Sequence, residues 1–233
     1  IKRYITPTEH QKIIDLGEIN LRVEEEKKRI NPYSNLASHV VGYVDTEGIG
    51  GAGIERAFND ELSRSENIYL TLDINLQHAV REELLETITK FKAESGLAVI
   101  LDIKKSEIVS SVSFPDFNPN DRKTYKENNL INRVIQSNFE MGSTFKPITA
   151  VMGYDKDLIS PDMTFDVTKK IKGISDYLEY EGDGIYDAEK IIFKSSNIGA
   201  AKIASLIGRQ NLKEFFNKIG FFDKLNIEIL EAV

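Results

Sequence analysis

Cysteine and tryptophan are absent from the 233 residues, and histidine occurs only three times, at His10, His39 and His78. Without cysteine there is no disulfide framework and no thiolate metal site. No two histidines stand in the H-x-x-x-H spacing that sets two imidazoles on one helix face, so a zinc hydrolase lacks its ligands. All three are read as structural, and no metal or other cofactor is expected. Long apolar runs are missing too: none approaches the roughly 20 residues that span a bilayer. The first residue is Ile1 rather than a start Met, and the N-terminus therefore reads as a cut. Positive charge is not in excess either. With 30 basic and 37 acidic residues the net charge is -7, which gives nucleic acid or an anionic membrane surface no electrostatic foothold.

What is present suits a globular chain of one large domain or two smaller ones, with 41% hydrophobic residues. Residues 1–65 mix short β-prone pieces such as Ala37–Val44 with many charges, and they read as a small irregular domain. Within it, the glycine cluster "TEGIGGAGIE" (Thr46–Glu55) contains no lysine. A phosphate cradle needs a buried strand before it, a helix after it and usually a lysine, so the cluster is read as a turn. The charge run Glu24–Arg29 is read as a solvated face.

From Ile68 the pattern changes. "IYLTLD" alternates as a strand does, and Leu76, Val80, Leu84 and Ile88 then recur at helical steps, with Phe91 continuing the stripe. An amphipathic helix ending near Gly96 is predicted. Leu97–Ile103 and Glu107–Phe114, separated only by Lys104, Lys105 and Ser106, predict a buried antiparallel hairpin. Pro115 and Pro119 break regularity, and a polar loop then delivers Ser143 to a helix start after Gly142. Phe165–Gly184 is polar and glycine-punctuated, whereas Ala188–Ile207 and Leu212–Ile219 have helical spacing and are separated at Gly208. The expected class is α+β, an antiparallel sheet flanked by helices.

Ser143 and Lys146 are the only S-x-x-K pair in the chain. On a helix that spacing puts hydroxyl and amine on one face. A serine is a weak nucleophile without an adjacent base, and with no histidine nearby in sequence Lys146 is the candidate. The amine must then be neutral. Each pKa unit of depression is about 1.4 kcal/mol, which burial beside hydroxyls and amides in a water-poor cleft supplies. A helix start adds free N–H groups and a positive dipole end for a developing oxyanion, and Pro147 lies close enough to that start to do little damage. Further on, "SSN" (Ser195–Asn197) opens another helical pattern. Ser195 is suited to passing a proton between Lys146 and a leaving amine, and the Asn197 amide to holding Lys146 and a substrate backbone. Helix capping is the plainer reading of both, and it is compatible with the first. A second S-x-N, Ser65 to Asn67, precedes the "IYLTLD" segment without a helical partner and is read as a loop feature.

These residues resemble the penicillin-binding protein and serine β-lactamase superfamily, whose motifs are S-x-x-K, then S-x-N, then K-T-G. The likeness is wider than the motifs. "RINPYSNLASHVVGYVDTEGIGGAGIE", "LTLDINLQ", "SFPDFNPN", "NFEMGSTFKPITA" and "SSNIGAAKIA" all look like class B penicillin-binding proteins, and the "GYVDTEGIGGAGIE" spacing looks most like the division-specific subgroup. The resemblance implies a serine peptidoglycan D,D-transpeptidase with a penicillin-binding transpeptidase fold over residues 66–233, incomplete at its C-terminus. Residues 1–65 correspond to part of an N-terminal α+β pedestal of the dimerisation type, which contacts division proteins. Ser143 is then acylated by the penultimate D-Ala of a stem peptide or by a β-lactam, with Lys146 as base, Ser195 as relay and Asn197 holding lysine and substrate. No cofactor is implied. The location implied is the periplasmic side of the inner membrane, with a single transmembrane anchor outside this sequence.

The sequence departs from the family pattern in several places. No K-T-G occurs, Asn31 stands where an aromatic usually precedes the proline, and Ser106 stands where a glycine usually turns the hairpin. Truncation is therefore expected, with poor turnover by this stretch alone. A class D β-lactamase or sensor carries S-x-V as its second motif and a key tryptophan, where this chain has Ser195-Ser196-Asn197 and no tryptophan, and the E-x-x-L-N segment of class A is absent. A scaffold that keeps the fold without the catalysis is the other alternative.

Overall fold

The computed structural model describes residues 2, 4–171 and 173–231. No helix among them is long and apolar enough to cross a membrane. The chain divides into two compact units, one of Ile1–Ser137 with Asn226–Val233 and one of Asn138–Leu225. In the first the elements run α1 (Pro7–Asp15), α2 (Ser38–Val41), β1 (Tyr43–Val44), β2 (Gly50–Ala52), α3 (Gly53–Ala57), α4 (Asn59–Ser63), α5 (Ile74–Phe91), β3 (Gly96–Asp102), β4 (Glu107–Phe114), α6 (Glu127–Leu130) and α7 (Arg133–Gln136). The second holds α8 (Phe145–Asp155), β5 (Phe165–Asp166), β6 (Ile185–Tyr186), α9 (Ala188–Phe193) and α10 (Asn197–Lys218). Among the described residues the strands pair in antiparallel twos, β1 with β2, β3 with β4 and β5 with β6. This is the α+β class expected.

In the first unit α5 packs on the β3–β4 hairpin, and one buried amide ties the two together. Gln77 is 1% exposed. Its Nε2 donates to Leu36 O and Ser111 O at 3.0 and 2.8 Å, and its Oε1 accepts from Ser110 Oγ and Ser111 N, both at 2.9 Å. Both ends of the amide are paired, as a buried polar group requires. Beyond β4, Arg81 Nε and Nη2 grip Asp116 Oδ2 at 3.0 and 2.8 Å.

Several expectations need correction here. "IYLTLD" forms no strand: Asp73 N donates to Val109 O at 2.9 Å and Thr71 Oγ1 to Ile108 O at 2.6 Å. The segment thus runs beside β4 without a full ladder, because Asp73 caps α5 instead, accepting from Asn75 N and Leu76 N. The helix also stops at Phe91, short of Gly96, since Lys92 turns left-handed at φ 52. The hairpin forms with Gly96 opposite Phe114 and Asp102 opposite Glu107, but its burial is one-sided. Ser110–Phe114 are buried whereas Leu101 is 58% and Ile103 88% exposed. Ala37–Val44, read as β-prone, is strand only at Tyr43–Val44, with Ser38–Val41 forming the helical turn α2. The glycine cluster makes a turn only ahead of β2, where Asp45 Oδ1 accepts from Glu47 N and Ile49 N at 2.8 and 2.9 Å; Gly50–Ala52 are β2 and Gly53 opens α3. Glu24–Arg29 is exposed, as expected.

In the second unit Met152 of α8, Ile191 of α9 and Ile203 and Ile207 of α10 form a core with Ile159, Phe165 and Tyr186. The helical spacing of Ala188–Ile207 is realised as two helices, α9 and α10, the second opened by the SSN triplet as read, with Ser195 left-handed at φ 54 between them. The predicted separation at Gly208 is a non-helical residue, φ 76 and ψ 156, within α10. At the α9–α10 corner an added Cβ on Gly199 would lie 2.7 Å from Ile191 Cδ1. Ile191, only 1% exposed, has nowhere to move. Gly199→Ala is therefore expected to destabilise the protein by about 1–3 kcal/mol through overpacking, read as a lower urea midpoint. An unchanged midpoint contradicts this close approach.

Candidate active site

Local backbone geometry prepares the start of α8. Gly142 adopts φ 56, which glycine takes without a Cβ clash. It opens a 3-10 turn, Gly142–Thr144, that runs into α8. Thr144 Oγ1 donates to Met141 O at 2.6 Å and pins that turn. Ser143 thus sits in the 3-10 turn and Lys146 in the first turn of the α-helix.

The corner between α9 and α10 supplies the other half. Ser195 Oγ donates to Ser143 Oγ at 2.9 Å, and Lys146 Nζ donates to Ser195 Oγ at 2.9 Å and also to Ser195 O. The three polar groups form a continuous row, with Ser195 between amine and nucleophile candidate. The middle serine of the triplet is the cap: Ser196, buried, accepts from Gly199 N at 2.9 Å. Capping therefore falls to neither Ser195 nor Asn197, which leaves both side chains for the pocket. Asn197 Nδ2 donates to Ser175 O at 3.1 Å, where the sequence reading had it reaching Lys146.

Sequence reasoning missed Asp176. Its Oδ1 accepts from Asn197 N and Ile198 N, the latter at 2.9 Å, and its Oδ2 accepts from Ser196 Oγ at 2.7 Å. Nothing in an acid within a polar, glycine-punctuated stretch marks it out, because its partners lie about 20 residues away along the chain. Ser65 and Asn67 lie in the loop between α4 and α5, in the other unit.

Together these residues line a pocket of about 280 Å³ that the segment from Tyr177 to Glu181, with Tyr186 and Lys194, completes. The water-poor cleft expected from sequence is not what forms. Ser143, Ser195 and Asn197 are exposed, and Lys146 and Asp176 are half-buried, because one loop and two helix starts enclose the site on few sides. Partial burial still pushes the Lys146 amine below its ordinary value, against the opposing pull of the Asp176 carboxylate. When the amine is neutral, rotating two hydroxyls reverses the row. Ser143 then donates to Ser195 Oγ and Ser195 to Lys146 Nζ, so a proton leaves Ser143 with no heavy atom displaced.

Residues 96–232 match the family described as Penicillin binding protein transpeptidase domain. The chain is 30% identical over 237 residues to the Caulobacter vibrioides protein named Probable peptidoglycan D,D-transpeptidase FtsI, covering 98% of this chain and 40% of that one. It is 24% identical to Peptidoglycan D,D-transpeptidase FtsI of Escherichia coli K12, over 99% of this chain and 44% of the other. The chain therefore spans less than half the length of these relatives. A crystal structure of penicillin binding protein 3 from Mycobacterium tuberculosis complexed with ampicillin superposes with a TM-score of 0.77 at 25% identity, over 88% of this chain and 49% of that one.

Titrating Lys146 by 1H–15N NMR of its amine, assigned with Lys146→Gln, is expected to give a midpoint below the ordinary 10.5. The sign follows from burial favouring the uncharged form. A midpoint at or above 10.5 overturns the base assignment's electrostatic footing.

Proposed function

The chain belongs to the penicillin-binding protein transpeptidase family, and from that premise we propose that its protein is a serine D,D-transpeptidase cross-linking peptidoglycan stem peptides. The observation that carries this reading is the row from Lys146 through Ser195 to Ser143, with 2.9 Å between successive side-chain atoms. It supplies what serine acyl transfer needs, a nucleophile in hydrogen-bonded continuity with a base.

In the proposed reaction Ser143 Oγ attacks the carbonyl carbon of the penultimate D-Ala while its proton passes through Ser195 Oγ to neutral Lys146 Nζ. Collapse of the tetrahedral intermediate breaks the bond to the terminal D-Ala, whose nitrogen takes that proton back along the row. An amine from a neighbouring strand then attacks the ester, gives its proton to the same row, and frees Ser143. The positive end of α8 favours the oxyanion. Asn197 stands at the pocket edge, where its amide is suited to a substrate backbone.

β-Lactams acylate the same serine in this proposal, as supported by the ampicillin complex of the Mycobacterium tuberculosis relative. The names of the FtsI relatives support a role in septal wall synthesis. The proposal further takes residues 66–233 as transpeptidase domain and residues 1–65 as a pedestal binding division proteins, and sets the protein on the periplasmic face of the inner membrane behind an N-terminal anchor.

The test is labelling of the full-length protein with fluorescent penicillin. Ser143→Ala is expected to abolish the covalent adduct, and Lys146→Ala to slow its formation by about 100-fold or more, as loss of a general base does. Undiminished labelling of Ser143→Ala refutes the reading.

A further inference from the structure

We propose that Asp176 is a positioning residue that holds the Ser195–Asn197 triplet against Ser143, a role that rests on the nucleophile and relay assignments above. One carboxylate accepts from three consecutive residues: Oδ2 from Ser196 Oγ at 2.7 Å, and Oδ1 from the backbone N–H groups of Asn197 and Ile198. The tie is reciprocal, since Asn197 Nδ2 donates to the carbonyl of the preceding residue, Ser175. The loop at 175–176 and the start of α10 are thus laced together from both sides.

The corner needs such a brace. Ser195 carries φ 54, and a left-handed conformation costs a residue with a Cβ about 1–2 kcal/mol. On the α9 side it is held by Ser195 N to Ile192 O at 3.0 Å and Ser196 N to Ile191 O at 2.9 Å. On the α10 side the bonds to Asp176 secure the next residues. Ser196 caps Gly199 N and Asp176 takes the two N–H groups before it, so the carboxylate completes the cap as well as anchoring it. Through its bond from Ser196 Oγ, Asp176 also fixes where the cap itself stands, and Ser195 Oγ, one residue before it, reaches both Lys146 and Ser143 from that place.

Acylation of the full-length protein by fluorescent penicillin, expressed per folded molecule, tests this in three variants. Asp176→Ala removes the three bonds to the carboxylate and is expected to slow acylation at least tenfold. Asp176→Asn keeps an oxygen for the two N–H groups and turns its amide NH2 toward Ser196 Oγ, so it is expected to restore the rate to within about threefold of wild type. A role in folding alone lowers thermal stability and leaves the rate per folded molecule unchanged. Wild-type acylation by Asp176→Ala overturns the proposal, as does a loss that Asp176→Asn fails to restore. If the alanine variant does not fold, Asp176→Glu is read instead: it keeps the charge and displaces the oxygens by one methylene, so slowed acylation supports the brace and a wild-type rate overturns it. Ser143→Ala is run alongside. If it loses labelling while Asp176→Ala keeps the wild-type rate, the positioning role fails alone. If labelling survives Ser143→Ala, the nucleophile assignment fails and takes the positioning role with it.

Discussion

The hydrogen bond from Lys146 Nζ to Ser195 Oγ joins two helix starts 49 residues apart in sequence, and the second unit is built so that they meet. Beneath it the side chains of Met152, Ile191, Ile203 and Ile207 are almost wholly buried, fixing α8, α9 and α10 against one another. Gly199 lets α9 and α10 close to within overlap of any larger side chain. Apolar packing therefore sets the approach of the helices, and polar contacts set the last few tenths of an ångström. Neither substitutes for the other, because packing is non-directional while a proton row depends on distance and angle.

The first unit uses the same division of labour with a different polar centre. Gln77 satisfies four groups from Leu36, Ser110 and Ser111 inside an otherwise closed interface. A satisfied buried amide fixes register, since sliding α5 along β4 strands each of those groups in turn. Two of the sequence stretches that carry the family likeness, "LTLDINLQ" and "SFPDFNPN", thereby acquire a physical reason: one supplies Asp73 and Gln77, the other Asp116, which Arg81 grips.

Much of this was legible in the sequence where local chemistry decides the outcome. The hairpin follows from two apolar runs around a short polar gap, the helix start at Ser143 from Gly142, and the interruption at Gly208 from glycine's conformational freedom. The reading went astray where distant partners decide. "IYLTLD" has the alternation of a strand, but its last residue serves as a helix cap. The helix opening at SSN was legible, but the left-handed turn of Ser195 just before it was not. Ser143, Lys146, Ser195 and Asn197, singled out from motif order, line one pocket. Asp176 was invisible because two of its three partners are backbone N–H groups, which every sequence contains and none advertises, and the third, Ser196 Oγ, is distant along the chain.

The positive φ of Ser195 sets two demands against each other at a single position. Folding alone favours glycine there, or asparagine, the residues that enter this region most readily. Neither carries a hydroxyl. Drift toward a more relaxed chain at this corner therefore erases the proposed relay while leaving the fold intact or even firmer. A homologue with glycine at the equivalent of residue 195 is then expected to be a sturdier molecule with a silent site, the exchange of activity for stability that strained functional positions commonly show.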